Sequence, residues 1–212
     1  MPNVEYCKDL NYRNLLDEVL ESGYLIGGPF IDELENKIEK LTGIKNCISV
    51  GNATDAMEII FGYLKLPKNS NVIVPAHTML ATASAAKTAN LNPIPIDVND
   101  KSCMIEVKEL KESNFENVSA VMVTQLNGIV SNMNPIKLFC EKKKVALVED
   151  SAQGIGAFNG IGHAGSWGIG GCISFYPAKV AGCLGDGGAI LTNNDELAKL
   201  ANKRIIIGDN DE

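Results

Sequence analysis

From residue 47 onward, short apolar runs rich in β-branched residues alternate with stretches in which apolar residues recur at helical spacing, and the alternation continues almost to the end of the chain. The runs predict strands at Cys47 to Val50, Asn71 to Val74, Pro93 to Asp97, Ala120 to Thr124, Val145 to Glu149, Gly171 to Tyr176 and Gly188 to Thr192. The stretches between them predict helices near Ile31 to Leu41, Asp55 to Leu64, Met79 to Ala89, Glu106 to Lys111, Pro135 to Lys144 and Asp195 to Arg204. Pro135 suits a first helical turn, where its missing N–H has no partner to lose. Strands and helices alternating in this way build an α/β sheet.

Composition narrows the function without adding to the fold. The 212 residues are 45% hydrophobic and 21% charged, the balance of an ordinary soluble globular chain. The formal net charge is −7, and the longest basic cluster, Lys142-Lys143-Lys144, reads as the solvated end of a helix, which argues against a nucleic-acid or anionic-membrane surface. Six cysteines (Cys7, Cys47, Cys103, Cys140, Cys172 and Cys183) lack any CxxC pair and read as reduced thiols of a cytoplasmic protein. His77 and His163 have no second ligand at metal-binding spacing, which argues against zinc. The amino terminus has no apolar signal core, and no run approaches the roughly 18 apolar residues of a membrane span.

Ligands of α/β sheets bind beyond the carboxyl ends of the strands, so residues there are the first candidates for chemistry. VALVEDSAQG, residues 145 to 154, ends a strand in Glu149-Asp150. A carboxylate at that place can meet a buried cation, such as the protonated ring nitrogen of pyridoxal phosphate. By itself such an Asp is more often a helix cap or turn former. ISFYPAK, residues 173 to 179, ends another strand and presents Lys179, alone an ordinary solvated charge. Beside a cationic cofactor and partly buried, that amine would lose basicity and gain nucleophilicity. Ser174 adds a hydroxyl donor, and GDGGA, residues 185 to 189, adds permissive backbone. SVGNATDAM, residues 49 to 57, runs through Gly51 into a helix start at Thr54-Asp55, which is either a phosphate cradle or a plain N-cap.

Gly160 to Gly165 matches GxGxxG, but no strand directly precedes it and SWGIGGCISFY after it has strand character. The helix start that a dinucleotide site needs is missing, and a glycine-rich loop between Gly154 and Gly188 accounts for the match.

Together these segments resemble the DegT/DnrJ/StrS-type sugar-nucleotide aminotransferases, of the aspartate aminotransferase fold. The resemblance runs through SGYLIGGP (22 to 29), GNATDAM (51 to 57), NVIVPAHTMLATA (71 to 83), PIPIDV (93 to 98), VEDSAQ (148 to 153), and SFYPAK with GDGGAILTN (174 to 193). It implies a three-layer α/β/α architecture around a mostly parallel mixed sheet. It also implies pyridoxal 5'-phosphate as cofactor, with Lys179 as the Schiff-base lysine and Asp150 paired with the pyridine nitrogen. Gln153 falls against the cofactor face or its phenolic oxygen, and Thr54, Asp55 and Ser174 fall on its phosphate. The implied reaction moves an amine from an amino acid such as glutamate to a nucleotide-linked keto-sugar, with a homodimer as the working unit. Related sugar dehydratases carry histidine in place of the lysine, so Lys179 argues for transamination.

Three features depart from the family pattern. Met79 stands where the family has an aromatic residue over the cofactor ring. Gln125 and Asn127, in VTQLNGIVSNMNPI, replace residues near the substrate. Residues 1–30 are expected to form a helical segment and active-site loop and 31–212 the cofactor-binding large domain. A C-terminal small domain is expected to be absent, IIIGDNDE departing from the usual segment. The chain is then either a fragment of a longer protein or a truncated, catalytically incomplete cofactor-binding or scaffolding protein of the same fold.

Overall fold

The computed structural model describes residues 12–205. Its strands are β1 (Asn46–Val50), β2 (Asn71–Pro75), β3 (Asn92–Ile96), β4 (Val118–Thr124), β5 (Ala146–Asp150), β6 (Gly170–Ser174) and β7 (Gly188–Thr192). They form one seven-stranded sheet in the order β1-β7-β6-β5-β4-β2-β3. β7 is antiparallel to both of its neighbours, and every other pairing is parallel. The helices are α1 (Tyr12–Ser22), α2 (Pro29–Thr42), α3 (Ala53–Leu64), α4 (Leu80–Thr88), α5 (Val107–Glu112), α6 (Met133–Lys143) and α7 (Asp195–Ile205).

Strand periodicity sends successive side chains to opposite faces, so a sheet covered on both sides needs apolar residues at every position. Val72, Val74, Met122, Val148, Cys172 and Ile190 share one core with Met57, Ile60 and Phe61 of α3, Ala85 of α4 and Leu197 of α7. The alternate residues Ile73, Val121, Val123 and Leu147 pack on the other face against Leu110 of α5 and Met133, Ile136 and Cys140 of α6. Ile38 of α2 covers Cys47, Ile173, Ala189 and Leu191 on β1, β6 and β7. The result is the three-layer architecture that the sequence implied.

The edge strand β3 shows how a sheet margin is protected. Asn92 N donates to Ser70 O and Ala76 N donates to Ile96 O, so the even positions of β3 face β2. Pro93 and Pro95 then turn outward and remove two N–H groups from the open edge.

Boundaries depart from the sequence expectation by at most two residues, and two of the departures have a visible local reason. α2 starts at Pro29, the residue before which Gly28 adopts φ 84. β6 stops at Ser174 rather than Tyr176, because the Ser174 hydroxyl takes the Tyr176 N–H. Lys142 and Lys143 close α6 and are exposed, as expected of a solvated helix end. Cys47, Cys140 and Cys172 are buried free thiols, Cys183 is exposed, and Cys7 lies outside the described residues, as does most of the IIIGDNDE tail. Burial pushes the Cys140 thiol up to about 12, which keeps it protonated and inert.

Candidate active site

Because only β7 opposes the rest, the carboxyl ends of β1, β2, β4, β5 and β6 and the start of β7 lie along one edge. A cavity of about 670 Å³ opens there. Thr54, Asp55, Met79, Asp150, Gln153, Ser174 and Lys179 all line it, joined by Asn52, Ala53, Thr78, Thr124 and Asp186. Seven candidates scattered over 126 positions of sequence therefore border one space.

One wall is the start of α3. Its N-cap is Asn52, whose Oδ1 accepts from Asp55 N at 2.9 Å while its Nδ2 donates to Asp55 Oδ2 at 2.9 Å. The cap thus lies ahead of Thr54 and Asp55, because only Asn52 has the extended backbone that a cap requires. The N–H groups of Ala53 and Thr54 have no acceptor within the helix and remain open donors. Ser174 Oγ accepts from Tyr176 N at 3.2 Å and keeps its own hydrogen to donate. Gly188 lets β7 begin directly beneath this turn, since a Cβ there would lie 2.6 Å from the Asn52 carbonyl carbon and 2.7 Å from Ala53 N.

The opposite wall is a carboxylate. Asp150 is 4% exposed, and its Oδ2 accepts from Thr82 Oγ1 at 2.5 Å. Its Oδ1 accepts from Ala152 N at 3.2 Å and faces the Cys172 thiol at 3.6 Å. Behind Thr82, the Thr78 hydroxyl lies 2.7 Å from Thr82 Oγ1 and 2.9 Å from Thr124 Oγ1.

Lys179 sits between these walls on a tight loop. Its N–H donates to Tyr176 O at 2.8 Å, and Cys183 N donates to Phe175 O at 2.7 Å, folding the segment back on itself. The side chain is half-buried, and its Nζ has no hydrogen bond or ion pair among the described residues. Gln153 Oε1 accepts from Asn127 N at 2.8 Å, which leaves the Nε2 hydrogens available to the cavity it lines. Met79 is 71% exposed at the N-cap of α4 and lines the same space.

Gln125 does not reach the cavity, contrary to the expectation that it lies near a substrate. It is fully buried, donates from Nε2 to Glu149 Oε2 at 2.8 Å and accepts from Ser131 N at 2.8 Å. Sequence reading also passed over Glu149. Its carboxylate, 0% exposed, takes Gly165 N at 2.9 Å, Trp167 N at 2.6 Å and Gly168 N at 3.0 Å besides Gln125. Burial pushes this carboxyl upward and the four donors pull against it. One strand position away from Asp150, it points to the opposite face, and that period was the signal available in the sequence. The GxGxxG stretch, residues 160 to 165, is an irregular loop and not a helix start. His163 holds it: Nε2 accepts from Gly156 N at 2.8 Å, and Nδ1 donates to Ala164 O.

Residues 7–208 match the model of the DegT/DnrJ/EryC1/StrS aminotransferase family. The UDP-2-acetamido-2-deoxy-3-oxo-D-glucuronate aminotransferase of Pseudomonas aeruginosa is 33% identical over 183 residues, 86% of this chain and 51% of that protein. The crystal structure of a DegT DnrJ EryC1 StrS aminotransferase from Brucella abortus superposes with a TM-score of 0.87 at 31% identity, covering 94% of this chain and 56% of that one. NtdA from Bacillus subtilis, solved with bound cofactor PMP, superposes with a TM-score of 0.81 at 30% identity, covering 89% and 42%. The chain spans about half the length of the curated relatives it matches.

Proposed function

The chain belongs to the DegT/DnrJ/EryC1/StrS aminotransferase family, and from that premise we propose that its cavity holds pyridoxal 5'-phosphate and serves transamination of a nucleotide-linked keto-sugar by an amino-acid donor such as glutamate. The observation that carries the reading is the polarity of the cavity. A buried carboxylate closes one side, open helix N–H donors line the other, and a lysine amine unpaired among the described residues stands in the same space. That set fits a molecule with a protonatable ring nitrogen, a phosphate and an aldehyde. The relatives' names, and the bound cofactor of the Bacillus subtilis structure, support the same choice.

Bound there, pyridoxal phosphate supplies a carbonyl that accepts an amine and a protonated ring that withdraws electrons. The chain's residues do the rest. Lys179 Nζ would hold the carbonyl end of the cofactor and, as a free amine in the cavity, would accept and return a proton there. Asp150 keeps the ring nitrogen protonated. Ala53 and Thr54 N–H groups, with the Thr54 and Ser174 hydroxyls, hold the phosphate, and Asp55 contributes by bracing the Asn52 cap. Gln153 Nε2 would be the donor for the phenolic oxygen, and the Met79 thioether would supply the apolar contact for the ring.

In this reading residues 31–212 are the cofactor-binding domain and residues 1–30 carry a helical segment and active-site loop; Leu25 to Gly28 border a second hollow that shares Asp55 with the cavity. The working unit is a cytoplasmic homodimer, a state supported by the exposed Leu15, Leu16, Leu20, Leu25 and Ile26. Borohydride reduction of the protein with pyridoxal phosphate, followed by peptide mass spectrometry, is expected to place the adduct on Lys179. An adduct elsewhere, or no spectral change when glutamate is added, would refute the proposal.

A further inference from the structure

The three threonines behind Asp150 belong to three different elements: Thr78 follows β2, Thr82 is in α4, and Thr124 ends β4. β4 lies between β2 and β5 in the sheet, which brings Thr124 between Thr78 and the end of Asp150's strand. Their contacts are Thr82 Oγ1 to Asp150 Oδ2 at 2.5 Å, Thr78 to Thr82 at 2.7 Å, and Thr124 to Thr78 at 2.9 Å. Each hydroxyl has one hydrogen and can accept as well. A carboxylate only accepts, so Thr82 must spend its hydrogen on Asp150. Thr82 then accepts from Thr78, and Thr78 accepts from Thr124. The direction of the whole chain follows from its end.

We propose that Thr82, Thr78 and Thr124 are positioning residues acting through Asp150, a one-way chain of hydroxyl donors that stabilises the carboxylate and so keeps the shared proton on the cofactor's ring nitrogen. The inference rests on the pyridoxal-phosphate reading of the cavity. A donor to the carboxylate lowers its affinity for a proton, and successive hydroxyls polarise one another in the same sense. The neighbouring titratable groups do not replace this supply. Cys172 on β6 is a buried thiol, raised far above its ordinary range by burial and by Asp150, so it stays protonated and is a weak donor at 3.6 Å. Lys179, Asp55 and Asp186 line the cavity but make no hydrogen bond to Asp150, and Glu149 is on the other face of β5 with its own donors. With its hydrogen committed to Thr78, Thr124 presents only lone pairs to the cavity it lines, and so does Thr78.

The test is where the shared proton lies, read from the nitrogen chemical shift of bound, 15N-labelled pyridoxal phosphate at neutral pH. Thr82→Val keeps shape and removes the donor, and is expected to move that chemical shift toward the value of an unprotonated ring nitrogen, because the unsupported carboxylate competes better for the proton. Thr82→Ser is expected to restore it. Thr124→Val leaves the last link intact and is expected to give a smaller shift of the same sign. If Thr82→Val does not fold, Thr78→Val against Thr78→Ser asks the same question one link away. Identical nitrogen chemical shifts in the parent and the Val variants, or a Ser variant that reads like Val, overturn the relay. A parent protein that shows no bound-cofactor signal overturns the reading of the cavity, and the relay with it.

Discussion

Glu149 and Asp150 are adjacent, buried and acidic, yet their neighbours differ in kind. Glu149 takes four hydrogen bonds from the protein and has no access to the cavity. Asp150 takes fewer and lines it. Glu149→Ala strands three backbone N–H groups and an amide, and is expected to destabilise the fold by at least about 3 kcal/mol in urea unfolding. Asp150→Asn keeps shape and volume and is expected to change stability far less while the ring nitrogen of bound cofactor titrates at lower pH. Lys179→Ala, at a half-buried side chain without partners among the described residues, is expected to leave the melting temperature nearly unchanged and to abolish covalent retention of the cofactor through dialysis.

At the scale of elements, two devices hold the cavity's rim. The Asn52 cap is the first. Asn52→Ala is expected to cost about 1 kcal/mol of stability and to weaken binding of inorganic phosphate as well as of cofactor, measured by calorimetry. The second is the loop around His163. Its Nε2 accepts a backbone N–H, so the ring is neutral in the fold, and burial holds its pKa below the ordinary 6.5. Between the lowered folded value and the unfolded one the unfolded chain binds more protons, so stability rises with pH through that window. The contribution is therefore fully present above about pH 6.5 and is lost as pH falls through the folded value. Acidification is expected to lower the hydrogen-exchange protection factors of Gly156 and Ala164, and His163→Gln is expected to flatten that pH dependence.

For the whole molecule, the proposed homodimer would cover the apolar residues of α1 and the segment after it, where Ile26 is 84% and Leu25 70% exposed. Leu16→Glu with Leu20→Glu is expected to shift the protein toward monomer in light scattering without unfolding the sheet. Legibility from sequence follows the range of the forces involved. The strands and helices could be placed because periods of 2 and 3.6 are local, and the residues at strand ends could be singled out because ligand sites follow those ends. Asn52 was missed as the cap because Thr54 and Asp55 are equally good capping types, and only backbone conformation decides among them. Gln125 was misplaced because a polar residue just past a strand end can face the cavity or the protein interior with the same local pattern.

The sequence by itself determined the α/β alternation and the family, and it singled out Asp150 and Lys179 as candidates, since each stands in a contiguous motif. The tertiary structure alone decided that Thr82, 68 positions from Asp150, donates to it, and that Thr124 reaches Thr78 across 46. Those meetings depend on β4 lying between β2 and β5, an order set by how the crossover helices pack on the two faces of the sheet. No single segment carries that order, because it is the burial of both faces together that selects it.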